Sequence, residues 1–197
     1  SVDCLPGEIC QDGTCFAAAL VVSEFMADPG SVSDSDGEWI ELTNTGNVSI
    51  SADVVEIADA LNNFSPIVSS GEIVPQILPQ SSIVIARSID PEENGGIEAI
   101  GTFSASLNNS GDIIQVRVAG GITDTLNYNG FEVVSGSANQ FDGDLDLDEA
   151  TNDDAANWCL ADSTLSGMTD YGTPGAANTS CSVDPGCQAG YFTCNSG

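Results

Sequence analysis

Two strand-like segments near the start of the chain constrain its fold more than any other feature. Residues 37–44 read Gly-Glu-Trp-Ile-Glu-Leu-Thr-Asn, in which Ile40 and Leu42 alternate with polar side chains. Residues 20–27 form a second such segment, and an acidic, serine-rich run lies between the two. This alternation is typical of β-strands that bury one face. We therefore predict two neighbouring strands joined by an aspartate-rich loop, on which the chain up to residue 178 is layered.

The middle of the chain continues the pattern of short strands separated by turns. The apolar run 82–87 predicts a strand that is buried on both faces or central in a sheet. Pro75 places the segment 73–78 at a sheet edge or in a crossing connection. Residues 113–118 and 122–127 flank Ala-Gly-Gly, which predicts a tight hairpin. Since no stretch shows a convincing 3.6-residue apolar period, the predicted fold class is all-β.

Four short motifs resemble those of the bacterial lamin tail domain. They lie at residues 22–29, 37–46, 107–112 and 171–178, in the order expected of that family. The resemblance implies an immunoglobulin-like β-sandwich, found in many secreted bacterial proteins and usually an accessory module rather than a catalyst. The sequence departs from the family after the first turn. A strand with a Gly-Trp pair would usually follow there, and residues 51–57 of this chain contain no such pair.

Length and resemblance together suggest one domain with short appendages. A chain of 197 residues is long for one such sandwich and short for two. We divide it into a cysteine-rich linker segment at residues 1–18, a lamin-tail-like sandwich at residues 19–180 and the start of a second cysteine-rich segment at residues 181–197. The chain opens at Ser1 without an initiator Met or a signal peptide, as expected of a mature product or a fragment.

The charge of the chain excludes several classes of partner. Thirty acidic residues stand against two basic ones, Arg87 and Arg117, which gives a formal net charge of −28. Nucleic acid and anionic membranes both need clustered cations, so neither is an expected partner. No run approaches about 18 apolar residues, so we expect no membrane span. Self-repulsion on this scale favours salty surroundings or bound divalent cations. We expect each arginine to pair with a nearby carboxylate.

The absence of lysine and histidine removes common forms of catalysis. Neither a Ser-His-Asp or Cys-His relay nor a Schiff base can be built from this chain alone. Paired carboxylates remain available for glycoside hydrolysis, but no signature of an aromatic-lined cleft accompanies them. We therefore do not expect an enzyme.

Seven cysteines cluster at the two ends of the chain, and we expect them to form disulfide bonds. They are Cys4, Cys10, Cys15, Cys159, Cys181, Cys187 and Cys194. Metal binding is the competing explanation, but short Gly/Pro-rich cysteine segments beside an acidic β domain suit disulfides in an oxidising compartment better. A bond between Cys159 and Cys181, which bracket the C-terminal motif, would join the last strand to its neighbour. The other cysteines are expected to form small stapled knots.

Both ends of the chain resemble copies of one linker. Ser-Val-Asp followed by spaced cysteines opens the chain and recurs from residue 182, with Cys-x-x-Gly in both copies. One interpretation is a longer tandem array of sandwiches joined by stapled linkers. The other is chance similarity between low-complexity segments.

Alternating aspartates near the end of the domain are the densest group of candidate metal ligands. The candidate ligands are Asp142, Asp144, Asp146, Asp148 and Asp153. Ca²⁺ takes about six to eight oxygen ligands, which carboxylates on a bent loop supply. The spacing resembles an EF-hand or thrombospondin-repeat calcium loop, except that Leu147 replaces the turn-forming Gly and Asp153 replaces a Glu. The alternatives are an edge strand with Leu145 and Leu147 inward, or a solvated acidic segment.

A weaker group of candidate ligands lies in the connection between the first two strands. It consists of Asp28, Asp34, Asp36 and Glu38 on a Gly/Ser-rich loop. This loop either wraps a cation or forms an exposed, solvated turn.

Together these features favour a secreted, non-catalytic structural or adhesive module of a cell-surface or filament-forming repeat protein, stabilised by Ca²⁺. Its expected partners are further copies of itself, neighbouring repeats or a surface polysaccharide. The alternative is a domain that binds a polysaccharide or another ligand for a larger secreted hydrolase. A third hypothesis is direct polymerisation, in which chain ends or edge strands pair between subunits.

Overall fold

A computed structural model describes residues 3–69, 71, 73–165, 167 and 169–181 of the chain. The fold is predominantly β, with one single-turn α-helix and two short 3-10 helices among these residues. Of the predicted second cysteine-rich segment at residues 181–197, all but Cys181 lies outside the described residues, including Cys187 and Cys194. Within the described ranges, no helix has the length and apolar character needed to cross a membrane.

Fifteen short strands follow one another along the described chain. The first eight are β1 (Glu8–Gln11), β2 (Thr14–Ala17), β3 (Leu20–Met26), β4 (Trp39–Asn44), β5 (Ile50–Ser51), β6 (Val55–Ala58), β7 (Ser65–Pro66) and β8 (Val68–Ser69). The others are β9 (Gln76–Ile77), β10 (Ser82–Ala86), β11 (Gly101–Thr102), β12 (Ile113–Val118), β13 (Gly121–Asn127), β14 (Asn139–Phe141) and β15 (Trp158–Leu160). The helix α1 covers Asp34–Gly37, and the 3-10 helices cover Ala52–Val54 and Ala155–Asn157.

Two sheets contain most of these strands. The larger has seven strands in the order β15-β14-β3-β4-β10-β11-β8, and the smaller has four in the order β13-β12-β6-β7. The pairs β1-β2 and β5-β9 form two small additional sheets. The predicted pairing of the first two strand-like segments is confirmed, since β3 and β4 are antiparallel neighbours along their length.

A β-bulge in β3 decides which of its side chains face the core. The pairing with β4 shifts register between Val22 and Glu24, so Val22 and Phe25 both enter the core despite their odd spacing. Without the bulge, the two-residue period of a strand would place Glu24 on the same side as Val22. The bulge instead places Glu24 on the opposite face of the sheet, directly across from Glu41 of β4.

The two large sheets share one hydrophobic core. The seven-stranded sheet contributes Leu20, Val22, Phe25, Ile40, Leu42, Ile83 and Ile85, and the four-stranded sheet contributes Val55, Ile57, Ile114, Val116, Val118 and Leu126. Aromatic rings extend this core at one end, where the ring centroid of Phe25 lies 4.7 Å from that of Tyr128 and 5.8 Å from that of Trp158. Burial of each such side chain contributes about 1.5–3 kcal/mol, which makes this core the main source of stability.

The other face of the seven-stranded sheet is covered as well. A second apolar cluster contains Met26, Trp39, Val84, Ala86, Ile97, Ala138 and Ala161. The C-terminal segment 171–178 covers the more polar part of this face through hydrogen bonds to β3 and β4. As predicted for residues 82–87, β10 is central, since it lies between β4 and β11, and all its residues except Ser82 are buried.

The remaining elements agree with the predicted pattern in part. The predicted hairpin is confirmed, because β12 and β13 pair around Ala119 and Gly120, which both have positive φ. The segment 73–78 contributes only the short strand β9, which pairs with β5. The acidic connection between β3 and β4 contains α1, where the sequence predicted a loop. This single turn is closed by bonds from the amides of Asp36 and Gly37 to the Ser33 carbonyl.

Both arginines pair with a carboxylate, as predicted. Arg117 donates two hydrogen bonds of 2.7 Å to Glu56, which is opposite it in the pairing of β12 with β6. Its guanidinium also lies 4.0 Å from the centroid of the Phe64 ring. Arg87 lies 3.8 Å from Glu38. Both cations therefore join parts of the same domain.

Two disulfide bonds lie near the ends of the described chain. Cys4–Cys15 staples the β1-β2 hairpin, and Cys159–Cys181 joins β15 to the chain three residues beyond the C-terminal segment. The sequence also predicts a disulfide at Cys10. This thiol is exposed and is bonded to no cysteine of the described residues, because Cys15, its cross-strand neighbour, is bonded to Cys4.

Replacing Cys159 and Cys181 together by alanine is expected to lower the free energy of unfolding by about 3 kcal/mol, because the bond restricts the unfolded chain. The two cysteines are 22 residues apart in the sequence. Equilibrium urea denaturation measures the loss. Cys10→Ser is the matched control, since it removes an exposed thiol and should leave the unfolding midpoint unchanged. A double variant as stable as the parent protein would contradict the structural role of this bond.

Candidate functional site

The predicted calcium loop runs from residue 142 to residue 154 without a strand or a helix. It follows β14 and leads into the 3-10 helix before β15. Leu147 packs against the main core, whereas Leu145 is exposed. The alternative of an edge strand with both leucines inward is therefore wrong, because the core reaches only one of the two side chains.

Two aspartates of this loop, Asp142 and Asp148, bond to the loop's own backbone. The Asp144 amide donates to Oδ1 of Asp142 at 3.0 Å. Oδ1 of Asp148 accepts bonds from the amides of Ala150 and Thr151 at 2.9 and 2.7 Å. Short-range bonds of this kind stabilise turns, so these carboxylates shape the loop in which they lie.

The second group of candidate ligands is divided between the surface and the interior. Asp34 and Asp36 belong to α1, and Asp28 is half-buried in the bend after β3. Glu38 is buried and accepts a hydrogen bond from the Leu107 amide at 3.1 Å. Burial raises the pKa of Glu38 to about 7. This carboxylate therefore anchors the segment before β12 rather than facing the open loop.

The candidate metal ligands are not gathered into one cluster. Among the described residues, no three of the nine predicted ligands have carboxylate oxygens within 4.8 Å of one another. A group that does meet this distance contains Cys4, Glu8 and Cys15, but its two cysteines are bonded to each other. Asp146 and Asp153 are exposed. Calcium binding by the nine residues stays a prediction that needs exposed side chains to turn towards an ion.

Two glutamates that the sequence analysis did not select form a buried polar cluster on the outer face of the large sheet. Glu24 is 0% exposed and Glu41 is 1% exposed, and they lie directly opposite each other in β3 and β4. The amide and hydroxyl of Thr173 donate to Glu24 at 2.8 and 2.9 Å. The Gly175 amide and the Ser23 hydroxyl donate to Glu41 at 2.8 and 2.7 Å. We call these five residues the carboxylate clasp.

Burial raises the pKa values of both glutamates in the clasp. The pKa of Glu24 rises to about 8, first because its carboxylate is removed from water and also because Glu41 is close; the bonds from Thr173 oppose the rise. Burial likewise raises the pKa of Glu41. Like charges directly opposite on two strands repel each other. The clasp therefore favours a protonated carboxyl at pH values where exposed glutamates are ionised.

The raised pKa of Glu24 is typical of a catalytic carboxyl, but the carboxyls of the clasp are buried. Carboxyls with pKa values near neutrality serve as general acids and bases in many enzymes. Here both oxygens of Glu24 and both oxygens of Glu41 accept bonds from the same domain, and neither side chain reaches solvent. The hydrogen bonds from Thr173 and Gly175 to the two glutamates hold the C-terminal segment on the sheet.

A further buried carboxylate lies where the acidic loop meets β13. Oδ2 of Asp124 accepts bonds from the Val22 amide at 2.7 Å and from Nδ2 of Asn152 at 2.9 Å. Nδ2 of Asn152 also donates to the Val22 carbonyl at 3.2 Å. On this side of β3, β14 pairs with Glu24 and Phe25. The side chains of Asp124 and Asn152 thus form the hydrogen bonds with the Val22 backbone that a neighbouring strand would otherwise form.

A small cleft of about 190 Å³ opens beside the aromatic end of the core. Its lining includes Phe131, Glu132, Asn139 and Trp158. The ring centroids of Phe131 and Trp158 are 5.7 Å apart. Nδ2 of Asn139 is buried and has no hydrogen-bond partner among the described residues. Aromatic rings beside a few polar groups are typical of small-molecule sites.

Sequence reasoning missed the clasp because a strand pattern shows only which residues alternate. The two-residue period assigns polar strand residues such as Glu41 to a solvated face. In the structure that face is covered by residues 171–178, which are distant in the chain. The available signal was indirect: a chain with two arginines must supply other donors to buried acids, and a Gly- and Thr-containing motif offers backbone and hydroxyl donors.

Comparison of the chain with protein-family models, with curated proteins and with solved structures finds no match in any of the three. The resemblance to the lamin tail domain therefore stays a prediction that depends on the four motifs.

Raising the pH from about 5 to about 8 is expected to destabilise the folded protein. The folded state holds the Glu24 proton up to its raised pKa of about 8, whereas the unfolded chain releases it near the ordinary value of 4.5. The folded state therefore binds more protons across this window, and the free energy of unfolding falls as the pH rises. The loss is on the order of a few kcal/mol. Melting temperatures measured across the window at constant ionic strength detect it.

Glu24→Gln separates this effect from general charge repulsion. The glutamine side chain keeps the size of the glutamate but does not titrate, so the variant should show a flatter pH dependence and should exceed the parent in stability at pH 8. Glu98→Gln, at an exposed position, removes the same formal charge and should keep the parental slope. Equal slopes for Glu24→Gln and the parent would rule out the clasp as the cause.

Proposed function

We propose that this chain is a non-catalytic structural or adhesive module of a secreted cell-surface or filament-forming repeat protein, with an immunoglobulin-like β-sandwich of the lamin-tail kind. The observation that carries the proposal is the carboxylate clasp. The glutamates with raised pKa values are enclosed by the domain and bond to its own backbone and hydroxyl groups. Carboxyls in this position support the shape of the molecule.

The contacts among the four motifs support the proposed family. Glu24 lies in the first motif and Glu41 in the second, and both bond to the C-terminal motif. Glu38, also in the second motif, bonds to the Leu107 amide of the third. If the motifs belong to one fold, they should contact one another, and these buried hydrogen bonds are such contacts. The core shared by the two large sheets is also what a β-sandwich needs.

An oxidising, extracellular location fits the covalent structure and the charge. Disulfide bonds form and persist mainly outside the cytosol, and two of them stabilise the ends of the described chain. A net charge of −28 keeps copies of the chain apart unless cations screen it. The proposed partners are accordingly further copies or neighbouring repeats that meet in the presence of Ca²⁺.

A second candidate function is binding of a polysaccharide as an accessory domain of a larger hydrolase. The cleft lined by Phe131, Trp158 and Asn139 favours it, because sugars stack on aromatic rings and bond to amide groups. Titration of the protein with a panel of soluble glycans, followed by tryptophan fluorescence, tests this function. A spectral change that Trp158→Phe abolishes would support it.

Millimolar Ca²⁺ is expected to raise the melting temperature at low ionic strength, and EDTA is expected to reverse the rise. A cation that binds the folded chain and neutralises its carboxylates stabilises it by mass action. Differential scanning calorimetry gives the shift, and NaCl of equal ionic strength is the control for simple screening. Equal melting temperatures in Ca²⁺ and in the NaCl control would remove calcium from the proposal.

Self-adhesion is the direct test of the structural and adhesive role. Beads coated with the protein are expected to aggregate in Ca²⁺ and to disperse in EDTA, and electron microscopy shows whether the soluble protein forms filaments. Dispersed beads together with specific glycan binding would favour the accessory-domain function. Hydrolysis of any glycan in the panel would overturn the non-catalytic assignment.

A further inference from the structure

Two buried oxygen atoms near the acidic loop lack a hydrogen-bond donor among the described residues. They are Oδ1 of Asp124 and Oδ1 of Asn152. Their side chains touch through the 2.9 Å bond from Asn152 to the other oxygen of Asp124, and the residues are 1% and 0% exposed. An unsatisfied buried acceptor costs about 1–3 kcal/mol, and more when it is charged. A hydrogen-bond donor or a cation would therefore complete this arrangement.

The orientation of the Asn152 side chain is determined by its neighbours. Its Nδ2 donates to the Val22 carbonyl and to Asp124, so turning the amide over would set its oxygen against two acceptors. The main-chain carbonyl of Asn152 accepts a bond of 2.7 Å from the indole of Trp158. Both ends of the residue are thus held, and Oδ1 remains without a donor from the described chain.

Further carboxylates lie beside this buried pair. Asp153 follows Asn152 directly in the chain, and Glu149 lies three residues before Asn152. Asp153 and Glu149 are exposed, so their side chains are free to turn towards the pair. A divalent cation relieves the repulsion between carboxylates that it binds together.

We propose that Asp124, Asn152 and Asp153 form a Ca²⁺ site where β13 meets the acidic loop. Carboxylate and amide oxygens are the ligands that this cation takes, about six to eight in all, with water completing the set. The inference rests on the proposed calcium-stabilised module and changes its ligands. The ion binds at the buried pair, Asp124 and Asn152, instead of at the alternating aspartates from Asp142 to Asp148.

An ion at this position connects three parts of the domain. Asp124 belongs to β13 and, with Asn152, bonds to the backbone of β3 at Val22. The loop that contains Asn152 also leads to Trp158 at the start of β15. The proposed site thus joins both large sheets, and it stabilises the folded state because the unfolded chain does not bring these ligands together.

Calcium titration of two sets of variants in the full chain tests the ligand assignment. Asp124→Asn keeps the side-chain shape and removes one charge, whereas the triple variant Asp142→Asn, Asp144→Asn, Asp146→Asn removes three charges from the loop. Isothermal titration calorimetry should show an affinity at least about tenfold weaker for Asp124→Asn. The triple variant should bind nearly as tightly as the parent, although it loses more charge.

Asp153→Asn is a second test, needed because Asp124→Asn changes a buried residue and could prevent folding. Asp153 is exposed, so this variant should fold like the parent and still bind Ca²⁺ more weakly. Terbium provides a positional readout, because Tb³⁺ occupies Ca²⁺ sites and emits when a nearby tryptophan is excited. Added Ca²⁺ should displace Tb³⁺ and reduce the emission, and the emission should be lost in Trp158→Phe. Emission that persists in Trp158→Phe would place the ion elsewhere.

The possible failures are distinguishable. If the triple variant loses binding and Asp124→Asn keeps it, the ligand assignment is wrong while the calcium-stabilised module stands. If the parent shows no response to Ca²⁺ by calorimetry or melting, both the site and the calcium part of the proposed function are wrong. In that case a proton on Asp124 takes the role of the cation.

Discussion

Hydrogen bonds from backbone and hydroxyl donors to buried carboxylates hold the distant parts of this domain together. The chain has two arginines for thirty acidic residues, so salt bridges cannot satisfy all the acids that lie inside. Glu24 and Glu41 bond instead to the C-terminal segment, and Asp124 bonds to β3 and the acidic loop. Bonds to a charged acceptor are stronger than neutral ones, and a buried charge without them is costly. Each donor segment is thereby held at one place on the sheets.

The same arrangement makes the folded state responsive to its ionic environment. Glu24 and Glu41 face each other across two paired strands, so their simultaneous ionisation is unfavourable. Protons reduce the repulsion between carboxylates in the buried clasp, and the proposed Ca²⁺ ion would do so where exposed acids adjoin buried oxygens. Stability linked to pH and salt is consistent with the proposed extracellular module, since such a module would meet variable pH and salt.

A raised carboxyl pKa is often used to locate an active site, and this domain shows why access must be considered as well. Burial is the main cause that raises the pKa of Glu24 to about 8, and the same burial separates its carboxyl from solvent. The small aromatic cleft near Trp158 lies on the core side of the sheet, apart from the clasp on its outer face. Shape and charge are the properties on which the proposed non-catalytic role depends.

The sequence by itself determined the all-β class, the central strands and the hairpin of β12 and β13, because apolar alternation and turn residues act locally. It also determined that buried acids would need donors other than cations, since it contains few cations. Only the tertiary structure decided that Glu24 faces outward, because the bulge after Val22 has no signature in the apolar pattern. It likewise decided which donors reach Glu24, since Thr173 is 149 positions away in the chain. Contacts at such separations depend on the path of the whole chain, and no local pattern encodes that path.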